Sequence, residues 1–600
     1  MVGLLFLGLV TSSRGVSAQV PHPEGVAARV DSLFARLGQP GLGPGCSLGI
    51  SQNGALVYER GYGTASLEHG VAISPASVFR AASLTKQFTA MAILLLTQRG
   101  QLSLDDEVRE YITELPDFGR PLTIRHLLTH TSGLRDAWDL STLVEPNDHV
   151  EPDDALRLLG RQQALNSVPG TEYVYSNFGF WVLGRIVERV SGQSLRMFSD
   201  ANIFQPLGMA HTFYHDDPTD LVPNRAVGYE PSDTGSWEVP VQQWSIDFPN
   251  ASSLLVGGHT GLFTTARDLL IWEQNFAAVR VGTPELVAAM ETKWYPPGSE
   301  TNFYGFGLEL GQYRGLRAVG HAGADPGYSA YVVRFPDHGL AISVLCNGEG
   351  LFPRGFAQGI ADIFLESSFL APAASSTLPP PVSLSAEQLA SKVGLYLVPS
   401  AVHLASGVDA DLYFIPSSDA RLIFVRDGKL ILSFGVLAPE AGGGIELTPV
   451  SADRFLSPSR EMQLDFVPAV DGRAQELREG PAGRDPAGVF QRVNAFAPSP
   501  FAPSSAGLRA FAGEYVSPEI ETRYTLVVLD SDLVIQIRGR EDIVLRPLFP
   551  EAFMGRGPPL RIGLGGTMLI AEFERDARGS VAGFTVNTNR VRGLRFNRVE

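Results

Sequence analysis

Lysine is nearly missing from this chain: of its 47 basic residues only four are lysine, and the rest are arginine. With charge supplied almost wholly by arginine, an isolated lysine contributes little as charge. What it offers instead is an amine that loses its proton at reachable pH when desolvated or set near other positive charge. Positive charge as a whole is also in deficit. The formal net charge of −17 repels phosphate, which disfavours nucleic acid as the working partner and is compatible with solubility. Cysteine is limited to Cys46 and Cys346, each at the end of a strand-like segment and neither near a nucleophile pattern, so neither reads as catalytic. In an exported protein they can form a disulfide; two buried thiols fit the sequence equally well. Long apolar runs are missing too. Val2 to Val10 is too short to span a bilayer, and no later segment reads as a transmembrane helix. The content of 63 Gly, 42 Pro and 44% hydrophobic residues fits a well-packed globular protein with many loops, not a fibrous or disordered one.

The first apolar run is followed by Val16-Ser17-Ala18, a small-residue cleavage signal before Gln19, although Arg14 lies on the wrong side of the run. Residues 1–18 are therefore expected to be a signal peptide and the protein to be exported, periplasmic or extracellular. Two Pro/Ser/Ala-rich stretches without helical period, 371–384 and 494–507, read as linkers. They divide the chain into a front unit, 25–370, and two tail units, 385–493 and 508–600. In the front unit, Cys46 to Ile50, a turn at Asn53-Gly54 and Ala55 to Tyr58 predict a hairpin. A helix is expected from Ser83 to Gln98, stopped by Gly100, and paired strands over Tyr328 to Phe335 and Leu340 to Cys346. Strands at both ends with helices between predict an α+β unit: an antiparallel sheet flanked by helices, with a helical insert.

The two tail units resemble each other. Gly394-Leu-Tyr396 recurs as Gly513-Glu-Tyr515, Asp427-Gly-Lys-Leu430 as Asp530-Ser-Asp-Leu533, Leu447-Thr-Pro449 as Leu545-Arg-Pro547, and Phe490-Gln-Arg-Val493 as Phe596-Asn-Arg-Val599. A duplicated all-β unit follows, lipocalin-like or barrel-like. Its plain reading is a pair of packing modules.

The scarce lysine that carries chemistry is Lys86, in Ser83-Leu-Thr-Lys86. Residues three apart on a helix share a face, so the amine reaches the hydroxyl. The helix N-terminus adds positive potential, which favours the neutral amine and stabilises anions. Such a pair alone also fits a Ser cap beside a surface Lys. Two further elements tip the balance. Tyr175-Ser176-Asn177 follows Pro169-Gly170 and opens a helical stretch: the phenol can accept the serine proton, and the carboxamide can orient Lys86. His321-Ala322-Gly323-Ala324 precedes a strand. There Gly323 permits close approach, Ala324 offers an N–H to an oxyanion, and His321 adds a donor or cation beside Tyr175.

These stretches, with Leu122-Thr-Ile-Arg-His-Leu-Leu-Thr-His-Thr-Ser-Gly133 and Gly257-Gly-His-Thr-Gly261, resemble the penicilloyl-recognising serine hydrolases: class C β-lactamases, DD-carboxypeptidases, D-aminopeptidases and related esterases. The resemblance covers roughly 25–370. It implies Ser83 as nucleophile, Lys86 and Tyr175 sharing the general-base role, Asn177 assisting, and the N–H groups of Ser83 and Ala324 as oxyanion hole, with no cofactor. One departure bears on substrate. Many β-lactamases and DD-carboxypeptidases have Lys-Thr-Gly where this chain has His321-Ala322-Gly323, which lacks the hydroxyl and the full charge that hold a substrate carboxylate. His-x-Gly is similar to D-aminopeptidases and some esterases, which points to small amides or esters, D-amino-acid derivatives among them. The alternatives are a DD-carboxypeptidase or β-lactamase, and, in another class, a catalytically weak penicillin-binding-like scaffold for peptidoglycan or a partner. D-aminopeptidases also carry two C-terminal β-barrels, one of which can restrict the active-site mouth. Two decoys remain. His126-Leu-Leu-Thr-His130 lacks the Glu of a zinc-protease helix and reads as a helix end, and Gly257 to Gly261 lacks a P-loop Lys and reads as a tight turn.

Overall fold

A computed structural model describes residues 25–37, 43–136, 139–140, 143–144, 154–217, 219–232, 235–240, 257–294, 304–369, 380–397, 420–434, 444–457, 462–469, 473–481, 488–492, 503–549, 551–556, 568–588 and 590–599. The leader expected over 1–18 lies outside them, as do 371–379 and 494–502 of the two linkers.

The front unit is built on one antiparallel sheet. Its strands are β1 (Cys46–Gln52), β2 (Ala55–Tyr62), β3 (Glu309–Tyr313), β4 (Leu316–Asp325), β5 (Tyr328–Phe335) and β6 (Leu340–Cys346), in the order β3-β4-β5-β6-β1-β2. The hairpin predicted from Asn53-Gly54 is the β1–β2 turn, where both residues have positive φ. The chain's two distant ends meet where β1 pairs with β6. Cys46 stands opposite Cys346 in that register, and the two form a disulfide. Pairing thus resolves what spacing left open.

Strand alternation divides the core. Ile342 and Val344 face helices α1 (Val26–Leu33) and α6 (Pro353–Phe364), packing with Val30, Phe34 and Ile360. Leu345, Val332 and Ala330 belong to the larger cluster on the other face, with α2 (Thr85–Gln98), α4 (Asn177–Ser191) and α5 (Ala266–Gln274). A short helix, α3 (Ile124–Leu128), packs on α4. Helix α2 is buried from Thr85 to Leu96, all round its circumference, as expected of a helix inside the molecule rather than on it. The polar Lys86 at its start is therefore desolvated by the same packing that makes the helix.

The tail units are two closed eight-stranded antiparallel barrels, from Gly394–Leu397 to Gly488–Arg492 and from Gly513–Ser517 to Leu594–Arg598. The recurring residues occupy equivalent places. Tyr396 donates its hydroxyl to the Lys392 carbonyl and Tyr515 to that of Phe511, while Arg492 and Arg598 close the first and last strands onto the carbonyls of Val393 and Ala512. The barrels differ in how they are held. The first has its own apolar core around Ile423, Leu432 and Phe466. The second shares one continuous apolar cluster with the front unit. Its Glu519 is buried in an ion pair with Arg135, and its Tyr524 hydroxyl donates to the Leu143 carbonyl at 2.7 Å. No described helix is long and apolar enough to cross a membrane.

Candidate active site

Ser83 sits in a single 3-10 turn, Ala82–Leu84, that runs directly into α2. Ala82 before it has φ +50°, a left-handed conformation that a Cβ-bearing residue holds only where the surroundings enforce it. The surroundings are β4: a Cβ added to Gly323 would meet the Ala81 carbonyl oxygen at 2.5 Å and Leu84 Cδ1 at 2.9 Å. The space at Gly323 is taken by the turn that carries Ser83 rather than left for substrate. Because β3 pairs only as far as Gly320, His321 to Asp325 pair on one side only among the described residues, leaving Ala324 at a local edge, next in the chain to the Gly323 that packs on the Ser83 turn.

Lys86 lies one turn on. Its Nζ is 3.1 Å from Ser83 Oγ, 2.8 Å from Asn177 Oδ1 and 3.0 Å from the His259 carbonyl oxygen. The last two can only accept. A neutral amine has two N–H groups for them and one lone pair left, which points at the one partner able to donate, the Ser83 hydroxyl. Burial favours that neutral form. It lowers the Lys86 pKa to about 7, helped by the positive charge of Arg590 and opposed by Asp136 and Asp325.

Tyr175 is hydrogen-bonded to Ser83, and its ring lies 4.9 Å from Lys86 Nζ. Burial raises its pKa, which the bond to Ser83 and the charge of Arg590 partly offset. At neutral pH it is a phenol. Asn177 opens α4, whose N-terminus is capped by the Ser176 hydroxyl; Asp136 accepts the N–H groups of Asn177 at 2.5 Å and Phe178 at 3.3 Å.

His321 departs from its expected role. Its Nε2 lies 2.9 Å from the Tyr304 hydroxyl and its Nδ1 2.5 Å from the Ala322 carbonyl, so Nδ1 carries the proton and Nε2 accepts. Burial lowers its pKa against the pull of Glu309. It is a neutral ring, 6.3 Å centroid to centroid from Tyr175, not a cation beside it.

The structure thus brings Ser83, Lys86, Tyr175, Asn177 and the His321–Ala324 edge to one place, and adds residues that sequence reasoning missed. Tyr304 holds His321. His130, set aside as a metal decoy, lies tilted against Tyr175 with ring centroids 4.2 Å apart and accepts the Ser176 N–H at Nδ1, with φ +56°. His126 accepts the Thr123 N–H in the cap of α3. The turn at Gly257 to Gly261 supplies the carbonyl that grips Lys86. Tyr304 carries no spacing signal; His126, His130 and the Gly257 to Gly261 turn lie in stretches that stood out in the sequence, but their contacts depend on packing that spacing does not show. Arg590, more than four hundred residues from Tyr175 in sequence, brings its guanidinium within 5.3 Å of that ring.

A family model described as Beta-lactamase matches residues 30–363. The chain belongs to the Beta-lactamase family. Among curated proteins it is similar to D-aminopeptidase of Cereibacter sphaeroides strain KD131, 31% identical over 314 residues, covering 51% of this chain and 57% of that protein. D-aminopeptidase of Brucella canis is 28% identical over 315 residues, covering 51% and 57%. The chain thus spans little more than half the length of the curated relatives it matches. Among solved structures, the octameric penicillin-binding protein homologue from Pyrococcus abyssi superposes with a TM-score of 0.52 at 21% identity, over 77% of this chain and 99% of that one. At that identity the likeness is one of fold. The α+β unit with two C-terminal barrels is the architecture expected from sequence.

Proposed function

We propose that this Beta-lactamase-family chain is a serine hydrolase that forms an acyl-enzyme on Ser83. The carrying observation is the buried Lys86 amine, its Nζ 3.1 Å from Ser83 Oγ and also within hydrogen-bond distance of two pure acceptors, Asn177 Oδ1 and the His259 carbonyl. Ser83 Oγ attacks the substrate carbonyl carbon while its proton moves to Lys86 Nζ. The N–H groups of Ser83 and Ala324 hold the oxyanion. Tyr175, a phenol against Ser83, gives its proton to the leaving amine or alkoxide and is reprotonated from the Lys86 ammonium. Water then gives a proton to the Lys86–Tyr175 pair as its oxygen attacks the acyl carbon, and Ser83 Oγ leaves with that proton, restoring the resting site. The roles expected to be shared thus divide: Lys86 is the resting base and Tyr175 the carrier to the leaving group.

Small amides or esters, D-amino-acid derivatives included, are the proposed substrates. The relatives named D-aminopeptidase support this reading, as does Ala322, which offers no hydroxyl for the carboxylate of a β-lactam. An exported location is supported by the Cys46–Cys346 disulfide together with the leader-like start.

Mass spectrometry after exposure to a D-alanyl amide, a p-nitrophenyl ester and a cephalosporin tests both levels. An adduct on Ser83, lost in S83A without a change in melting temperature, is expected. A folded protein that takes no adduct from any donor is a scaffold. Turnover of the cephalosporin far above the other two refutes the substrate class alone.

A further inference from the structure

The loop joining the last two strands of the second barrel, Val581–Asn587 and Leu594–Arg598, does not end at the barrel surface. It is built to hold a shape. The Thr588 hydroxyl accepts the N–H groups of Arg590 at 3.2 Å and Val591 at 3.0 Å, and Asn587 Oδ1 accepts that of Gly593 at 2.5 Å. The front unit then fastens it by its backbone. The Arg590 carbonyl takes the Asp136 N–H at 3.1 Å and the Asn166 amide at 2.8 Å, while Arg135 donates to the carbonyls of Arg592 at 3.0 Å and Gly593 at 3.1 Å. The Thr588 hydroxyl meets Asp139 at 2.8 Å. Asp136 also accepts the N–H groups of Asn177 and Phe178 at the start of α4, so one residue links the loop, through its backbone N–H, to that helix, through its carboxylate.

We propose that Arg590 is a positioning residue of the active site: the second barrel delivers its guanidinium to the Tyr175 ring, where its charge governs the exchange of the Ser83 proton between Lys86 and Tyr175. The inference rests on the acyl-enzyme reading above. The Tyr175 ring has two basic groups near it, the Lys86 amine with Nζ at 4.9 Å and the Arg590 guanidinium at 5.3 Å. Arginine stays charged throughout, so it opposes protonation of the lysine at rest and eases negative charge on the phenol oxygen in transit. The other charged or titratable groups around the pair come from every neighbouring element. Asp136 and Asp139 face Arg590 from the segment after α3, and Asp325 ends β4. Glu309 of β3 and His321 of β4 lie beyond Tyr304, and His130 and Tyr173 flank Tyr175. Burial holds both histidines down, and both carboxylates beside Lys86 favour its charged form. Arg590 is the charge opposing them.

The full-length R590Q and R590K proteins, acylated by p-nitrophenyl acetate across a pH series, test this. In the unmodified protein the acylation rate rises through the deprotonation of Lys86. In R590Q that limb moves to higher pH by roughly one unit, the order expected of a unit charge several ångströms away at an effective dielectric near 20, so the rate below the limb falls about tenfold. In R590K the charge remains and the limb stays near its original position. An R590Q protein that is uniformly slower with an unmoved limb overturns the proposal, because a merely structural role lowers the rate at every pH. Should R590Q fail to fold, R590M, which keeps the apolar stem, is read in the same way. No Ser83 adduct in the unmodified protein defeats the hydrolase reading; a good adduct with an unmoved limb in R590Q defeats only this one.

Discussion

Replacing Lys86 by methionine should end acylation and at the same time flatten the protein's stability against pH. The folded chain holds this amine at a pKa of about 7, against 10.5 for a solvated lysine, chiefly through burial. Below both values the native state must keep an ammonium out of water, and the full penalty is present. Between them the unfolded chain binds more protons than the native one, so stability rises with pH until the unfolded lysine also loses its proton. The whole interval corresponds to about 5 kcal/mol, and the part gained between about pH 6 and about pH 9 to about 3 kcal/mol. Lys86→Met removes that slope. It also leaves Asn177 Oδ1 and the His259 carbonyl without a donor, at about 1–3 kcal/mol each, but that cost does not vary with pH. Denaturant titrations of both proteins at several pH values separate the two effects. The difference between their unfolding free energies should change by a few kcal/mol toward the unmodified protein as pH rises. Parallel lines would mean that Lys86 is an ordinary solvated ammonium, and the catalytic reading would lose its base.

Three other perturbations have definite expected outcomes. Gly323→Val places side-chain carbon where the Ala81 carbonyl lies 2.5 Å away, so it should push the Ser83 turn off β4 and lower kcat by at least about a hundredfold, read by burst kinetics. Cys46→Ser with Cys346→Ser removes a cross-link between residues 300 apart, with an expected loss of about 2–5 kcal/mol by denaturant titration; an unchanged midpoint, or free thiols under non-reducing mass spectrometry, contradicts it. Glu519→Gln leaves Arg135 buried without its countercharge, and about 3–5 kcal/mol of destabilisation is expected. Because Arg135 also grips the Arg592 and Gly593 carbonyls, the same variant should slow acylation through the loop, which an esterase assay on the still-folded fraction would detect.

Some of these features were legible before any coordinates. Ser83, Lys86, Tyr175 and Asn177 stood out because local pattern places a hydroxyl and an amine one turn apart and opens two helices at chemically suited residues. The barrels were legible as a repeat because equivalent strands need equivalent residues: the Tyr at 396 and 515 and the Arg at 492 and 598 close each barrel in the same way. The His321 assignment shows the limit. A histidine before Ala-Gly suggests a donor or cation, yet its charge depends on Tyr304 and on burial, neither of which is a property of neighbouring residues. His130 was passed over for a similar reason, its left-handed backbone and its bond to Ser176 being products of packing.

Residue order brings out Ser83 and Lys86 as a hydroxyl and an amine one turn apart, while the 3-10 turn that holds Ser83 at the head of α2 depends on its packing against β4. Residue order also settles which side chains of a strand share a face. Tertiary structure alone decides which cysteine meets which, whether the amine is dry enough to be neutral, and which distant charge stands against the phenol. Those outcomes depend on long-range packing and on electrostatics summed through space, and a cation at 590 lies beside a ring at 175 only after a barrel has docked.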